Sequence, residues 1–218
     1  MLAGPTLTIG GESILNKVFG DKIETTYIEN VPDGMESYRV IESLAKRGYK
    51  VIFTTSFGFM DATLEAAKKY PNTIFLHCSG YKTYKNMSAY FGSMYEPSFL
   101  AGIVAGMMTK SNVIGYVAPH PILEVIRITN AFALGVKLVN PNAKIHVVWT
   151  NAWYDPATEK EAALSLLDAG ADIIAQHQDS PAPVWNWGVY YAKVTKEIMK
   201  GTYKHGFYWG VWMKESWI

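Results

Sequence analysis

Apolar positions along this chain switch repeatedly between the period of a helix and that of a strand. Ile14, Leu15, Val18 and Phe19 share one helical face, and Gly20 stands where such a helix would close. Ile23 to Ile28 changes to the spacing of a strand. Asp33-Gly-Met-Glu36 has capping-box spacing and predicts a helix with Tyr38, Ile41, Leu44 and Ala45 inward, ended by Gly48. Val51-Ile-Phe-Thr54 predicts a buried strand, Thr55 to Phe59 a polar-aromatic loop, and Asp61 the start of a helix to about Lys69. Strands are predicted over Thr73 to His77 and Asn86 to Phe91, with the loop Cys78-Ser-Gly-Tyr81 between them.

The pattern continues with a helix over Ser98 to Met108, in which Gly102 and Gly106 would let another element pack closely. This most apolar run is too short to cross a bilayer, so a soluble protein is expected. Val113 to Val117 reads as a strand, Ile122 to Val139 as a helix and Ile145 to Trp149 as a strand. Asp155 is placed to cap a helix whose first residue is Pro156, and Gly170 closes it. Asp172 to Ala175 predicts another buried strand, and Asn186 to Lys200 has helical spacing with Tyr190, Val194 and Ile198 on one side.

Strands alternating with helices of this length imply an α/β fold with parallel sheets and right-handed crossovers. Lys46 to Phe53 and Asp168 to Ala175 echo each other: helix end, glycine, charged residue, apolar strand, polar loop. The echo suggests two similar units, 1–110 and 111–218, with strand-end loops lining a cleft suited to a small molecule.

Composition narrows the classes. With 218 residues and a net charge of +1, the chain offers no basic field for nucleic acid. Cys78 is the single cysteine, which excludes an intrachain disulfide and a thiolate metal site. Met1 to Gly11 lacks the pattern of a signal peptide, so the chain reads as a mature form or as a cytoplasmic protein. Neither phosphate-binding glycine loop occurs, nor the H-E-x-x-H spacing, nor a G-x-S-x-G elbow. No cofactor, metal or catalytic set is expected, and the chain does not read as an enzyme. His77 and His177 each end a strand and read best as hydrogen-bonded structural histidines, and Ser56 as a hydrogen-bond donor.

Aromatic and short polar residues gather instead where strands end. Thr55, Ser56 and Phe57 form one loop, Asn151 and Trp153 a second, Gln178, Asp179 and Ser180 a third. Such walls suit a flat, heteroatom-rich ligand such as a purine base, with Trp153 stacking on it and Asp179 accepting from a ring N–H or amine. Trp153 could equally fold back over the core, and Asp179 could only cap the turn before Pro181. Both readings stay open.

Several segments in fixed order extend the picture. Val51 to Asp61 (VIFTTSFGFMD), Tyr90 to Gly102 (YFGSMYEPSFLAG), Ile114 to Ala118 (IGYVA) and Val139 to Asn142 (VNPN) resemble the basic membrane protein (BMP) family of substrate-binding proteins. Val148 to Pro156 (VWTNAWYDP), Gly170 to Ala175 (GADIIA) and Val184 to Gly188 (VWNWG) carry the likeness to about Gly210. The resemblance implies two Rossmann-like lobes of the type I periplasmic binding protein kind, closing on a purine base or nucleoside. It implies an extracytoplasmic receptor of an ABC importer, with the permease as partner, Trp153 as stacking ring and the Ser56-Phe57 loop in the cleft. Met1 to Glu12 does not match the family's opening strand, and Val184-Trp-Asn-Trp follows Pro183 where the family continues its sheet. The carboxyl lobe is therefore expected to be shortened, with an aromatic tail, and the strand at Asp172 to Gln176 to be an open edge. Edge and tail together suggest a homodimer. A cytoplasmic ligand-sensing domain, a shortened member that does not bind, and a nucleoside-processing enzyme are the alternatives.

Overall fold

The computed structural model describes residues 13–179 and 187–210. Residues 13–19 form α1, and Gly20 leaves it with φ of +53°, a left-handed turn that glycine adopts without strain. α2 spans Met35–Lys46, β1 Val51–Thr54, α3 Met60–Lys69, β2 Ile74–Cys78 and β3 Met87–Gly92. The chain continues with α4 (Tyr95–Met108), β4 (Val113–Ala118), α5 (Leu123–Val139), β5 (Lys144–Trp149), α6 (Pro156–Asp168) and β6 (Ile173–Gln176). After the undescribed stretch come α7 (Trp187–Met199) and β7 (Phe207–Gly210).

These elements make two units. One comprises residues 4–92 and 184–218 and holds a parallel sheet of order β1-β2-β3-β7. The other holds residues 93–183 and a parallel sheet of order β5-β4-β6. The division expected at 110 and 111 is thus displaced: α4 belongs with the second sheet, because its glycines pack on α5. The tail also changes sides. Ala89 to Gly92 pair in register with Phe207 to Gly210, so the described part of the tail completes the first sheet instead of lying along β6. Trp185, Trp212 and Trp217 lie outside the described residues.

Each sheet is covered on both faces, as parallel sheets require. On the first, Ile41, Ala45, Ala66 and Ala67 of α2 and α3 pack on Ile52, Phe75 and Met87. The opposite face joins Leu15, Leu76, Cys78 and Tyr90 to Tyr191 and Val194 of α7. On the second, Val125, Phe132 and Val136 of α5 meet Ile114, Tyr116 and Ala118, while Leu166 and Ala162 of α6 meet Val117. Alternate residues of β4 therefore face opposite helix layers.

Three expectations need correction. Residues 23–29 carry no ladder, and Tyr27 and Ile28 are about half exposed; a strand-like sequence without a neighbouring strand stays a single extended segment. The capping box at Asp33 does not form. Gly34, with φ of +88°, is the residue at the α2 entry, and no side chain caps it. β6 is half-buried rather than fully buried, because it is the last strand on its side among the described residues.

Candidate functional site

In the unit of residues 93–183 the carboxyl ends of three adjacent strands are tied into one surface. The Thr150 N–H donates to the Ala118 carbonyl at 2.9 Å and the Asn151 N–H to that of Pro119 at 2.7 Å, fastening the β5 loop to the β4 loop. His177 N donates to Val117 O at 2.8 Å and Asp179 N to Trp153 O at 2.9 Å, fastening the β6 loop to both. Asn151 takes φ of +55°, a conformation asparagine tolerates better than most residues. Gln178 is buried at 2% exposure beneath this surface. Its amide, with nitrogen toward the Ala152 and Trp153 carbonyls at 3.0 and 3.1 Å, takes the Thr150 hydroxyl on its oxygen at 2.9 Å.

Trp153 sits on this platform. Its half-buried ring packs against the cluster of Tyr116, Phe132 and Val125, which fixes its tilt. Two imidazoles flank it: His120 at a centroid distance of 5.3 Å, edge to face, and His177 at 6.5 Å. Burial pushes the His177 imidazole down to about 4, so the ring is neutral near pH 7. Its Nδ1 has no hydrogen-bond partner among the described residues, which departs from the hydrogen-bonded structural role expected for it. Asp179 is half-buried, and burial followed by the nearby Glu159 charge raises its carboxyl above the ordinary range. Asp155 holds the following helix as expected, accepting from Thr158 N at 3.1 Å and Thr158 Oγ1 at 2.8 Å. The structure thus brings Asn151, Trp153 and Asp179 together, and adds His120, which its loop position alone did not single out.

The unit of residues 4–92 and 184–218 presents its own strand-end loop. Ser56 and Phe57 follow β1 and enter a short 3-10 turn, Phe57–Phe59, that runs into α3. Ser56 Oγ donates to Asp33 Oδ1 at 3.3 Å, and the Asp33 carboxylate lies so close to Gly58 that any Cβ there would collide with it. Beneath the turn runs a hydrogen-bonded chain. Thr63 Oγ1 donates to the Phe59 carbonyl at 2.7 Å, so its single proton is used and Thr54 Oγ1, 3.0 Å away, must donate to it. Thr54 in turn accepts from His77 at 2.9 Å, which places the proton on Nδ1 and leaves Nε2 as the buried unpartnered lone pair. His77 is fully buried, and that burial lowers its imidazole to about 4. It positions the turn, in the structural role the sequence suggests.

Both surfaces offer an aromatic ring with short polar groups and a carboxylate, which can stack on and hydrogen-bond a small molecule. Among the described residues no group of three or more histidine, cysteine or acidic side chains is placed to hold a metal. No described helix is long and apolar enough to cross a membrane.

Comparison with known proteins bears on this arrangement. Residues 11–183 match the Bmp family model, described as ABC transporter substrate-binding protein PnrA-like. A purine-binding protein of Brucella abortus (strain 2308) is 40% identical over 233 aligned positions, spanning 93% of this chain and 66% of that protein. A Haloferax volcanii protein whose provisional name is ABC transporter glucose-binding protein is 41% identical, spanning 87% of this chain and 56% of its own length. The chain therefore spans less than two thirds of either relative. Among solved structures, an ABC transporter solute-binding protein of Aeropyrum pernix K1 superposes with a TM-score of 0.78 at 15% identity, over 94% of this chain and 69% of that one. One from Conexibacter woesei gives 0.70 at 19% identity, over 94% and 79%. At such identities the likeness speaks for the α/β architecture alone. The family match covers most of the sequence, and the chain belongs to the Bmp family of ABC transporter substrate-binding proteins.

Proposed function

We propose that this chain is the extracytoplasmic ligand-binding component of an ABC importer, delivering a purine base or nucleoside to a permease without chemical change. The observation that carries the ligand class is Trp153, an aromatic ring anchored on its inner side by the core and left half-buried at the strand ends. A heterocycle stacks on such a face, and Asn151 and Asp179 answer its amide and amine groups. Purine-binding and nucleoside-binding names among the relatives support the same class.

The glucose-binding name of the Haloferax volcanii relative favours a second reading, a hexose stacked on the same ring. Titration calorimetry with adenine, guanine, adenosine, inosine and glucose separates the two. Heat with a base or nucleoside and none with glucose is expected; the reverse overturns the purine reading, and turnover of a nucleoside overturns the receptor reading altogether.

A further inference from the structure

From Phe99 to Met108, helix α4 is apolar all the way round. Its inner side presents Gly102, Ala105 and Gly106 to the protein, while Leu100, Val104, Met107 and Met108 remain 62, 55, 73 and 65% exposed. A surface helix ordinarily turns charge outward, and one apolar throughout is ordinarily covered on both sides. Its neighbour α5 continues the surface, with Leu134 and Leu138 exposed by 63 and 65%. The two helices run parallel: Ser98 bonds to the Ile128 carbonyl, Gly102 abuts Phe132, and Gly106 abuts Val136.

This face has a shape as well as a polarity. At the amino-terminal end of α4 a groove of about 430 Å³ opens between the helices, lined by Tyr95, Glu96, Phe99, Leu100, Ala131 and Leu134. Two turns further along, roughly 10 Å at the helical rise, Met107, Met108 and Leu138 are exposed beside the groove. A two-fold axis lying in the plane of this face and perpendicular to the helix axes sets these side chains of one copy against the groove of the other, twice over, as an isologous interface demands. Methionines adapt readily to such a groove. Six side chains exposing on the order of 100 Å² each, with their polar rim, approach the ~800 Å² per partner of a standard interface.

We propose that the outer face of α4 and α5 is the two-fold interface of a homodimer, the occupant of each groove being the exposed Met107 and Met108 of a second copy. The surface is distinct from the β6 edge and the aromatic tail that the sequence points to. Sedimentation of the full 218-residue chain at low micromolar concentration tests it. A dimer that dissociates on dilution is expected, weakened at least tenfold by Leu134→Glu in the groove and by Met107→Glu beside it. Leu164→Glu, on the exposed side of α6, should leave it unchanged. Met107 is largely exposed, so Met107→Glu remains folded even if Leu134→Glu does not, and circular dichroism verifies each. A wild-type chain monomeric at every concentration overturns the proposal, as does a dimer that survives Met107→Glu.

Discussion

Trp153 gains its orientation from the core beneath it and keeps one aspect free, so removing its ring removes a surface without removing the fold. Trp153→Ala is expected to weaken ligand binding by roughly 1–3 kcal/mol, the value of a base stacked on an aromatic. Calorimetry reads the loss, and an unchanged circular-dichroism spectrum shows that the fold holds. Two histidines, the buried His77 and the half-buried His177, act on stability instead. Each has its folded-state value lowered to about 4 by burial, against about 6.5 in the unfolded chain. Below 6.5 the unfolded state binds protons that the folded state refuses, so stability is complete above that value and declines as the pH falls toward 4. The decline is on the order of 3 kcal/mol for each histidine across that window. Denaturant titrations between pH 7 and 4 should show it, and His77→Gln should flatten the slope. His177 and Trp153 were visible as strand-end residues in the sequence. Asp33 misled, because its spacing to Glu36 is that of a local cap, whereas its carboxylate serves Ser56, 23 positions away. Local spacing carries no information about such a long-range choice.

Elements follow their apolar period closely. Every strand and helix predicted between Val51 and Ala175 forms, with ends moved by a few residues, since periodicity fixes a face more firmly than a terminus. The exception, residues 23–29, shows why: a strand is a pairing, and the sequence of one partner does not reveal whether a second is present. The Gly102 and Gly106 spacing was legible as a packing device, and the structure gives it a surface. A Cβ on Gly102 would overlap the Phe132 carbonyl, and one on Gly106 would lie 2.8 Å from Val139 Cγ2. Because the obstacle at Gly102 is backbone, Gly102→Ala is expected to cost about 1–3 kcal/mol by forcing the helices apart. Urea unfolding gives the number; at Gly20, where nothing lies within 4 Å, the penalty would come from its positive φ alone. Where α4 hands over to β4, Asp172 of the β6 approach accepts from Thr109 Oγ1, Lys110 N and Ser111 N at 2.6, 2.6 and 2.9 Å. Those bonds, the Thr109 hydroxyl first, hold its carboxyl well below the usual range. Its stabilisation is therefore present above about pH 4 and lost as the solution becomes more acid, and Asp172→Asn should blunt acid unfolding in thermal melts below pH 4.

At the scale of the molecule, the repeat of helix end, glycine and apolar strand correctly announced two α/β units. It could not announce their membership, because the pairing of β7 with β3 joins residues more than a hundred positions apart. Nothing in a local pattern distinguishes a tail that closes its own lobe from one that returns to the first. That return has a kinetic meaning. The described residues 93–179 form their sheet from one uninterrupted stretch, whereas β3 waits for a partner that the chain delivers only after the whole of the other unit. Bringing distant segments together precedes the gain from pairing them, so such contacts form late. During synthesis the inserted unit can reach its final form while its host still has a raw edge, and the aromatic faces of Phe53 and Tyr90 await Tyr191. Pulse-labelled hydrogen exchange during refolding should find the amides of β4 and β5 protected before those shared by β3 and β7. Cutting the chain after Lys200 should abolish the slow step and leave the inserted unit's protection intact, making this the half of the molecule that tolerates separate life.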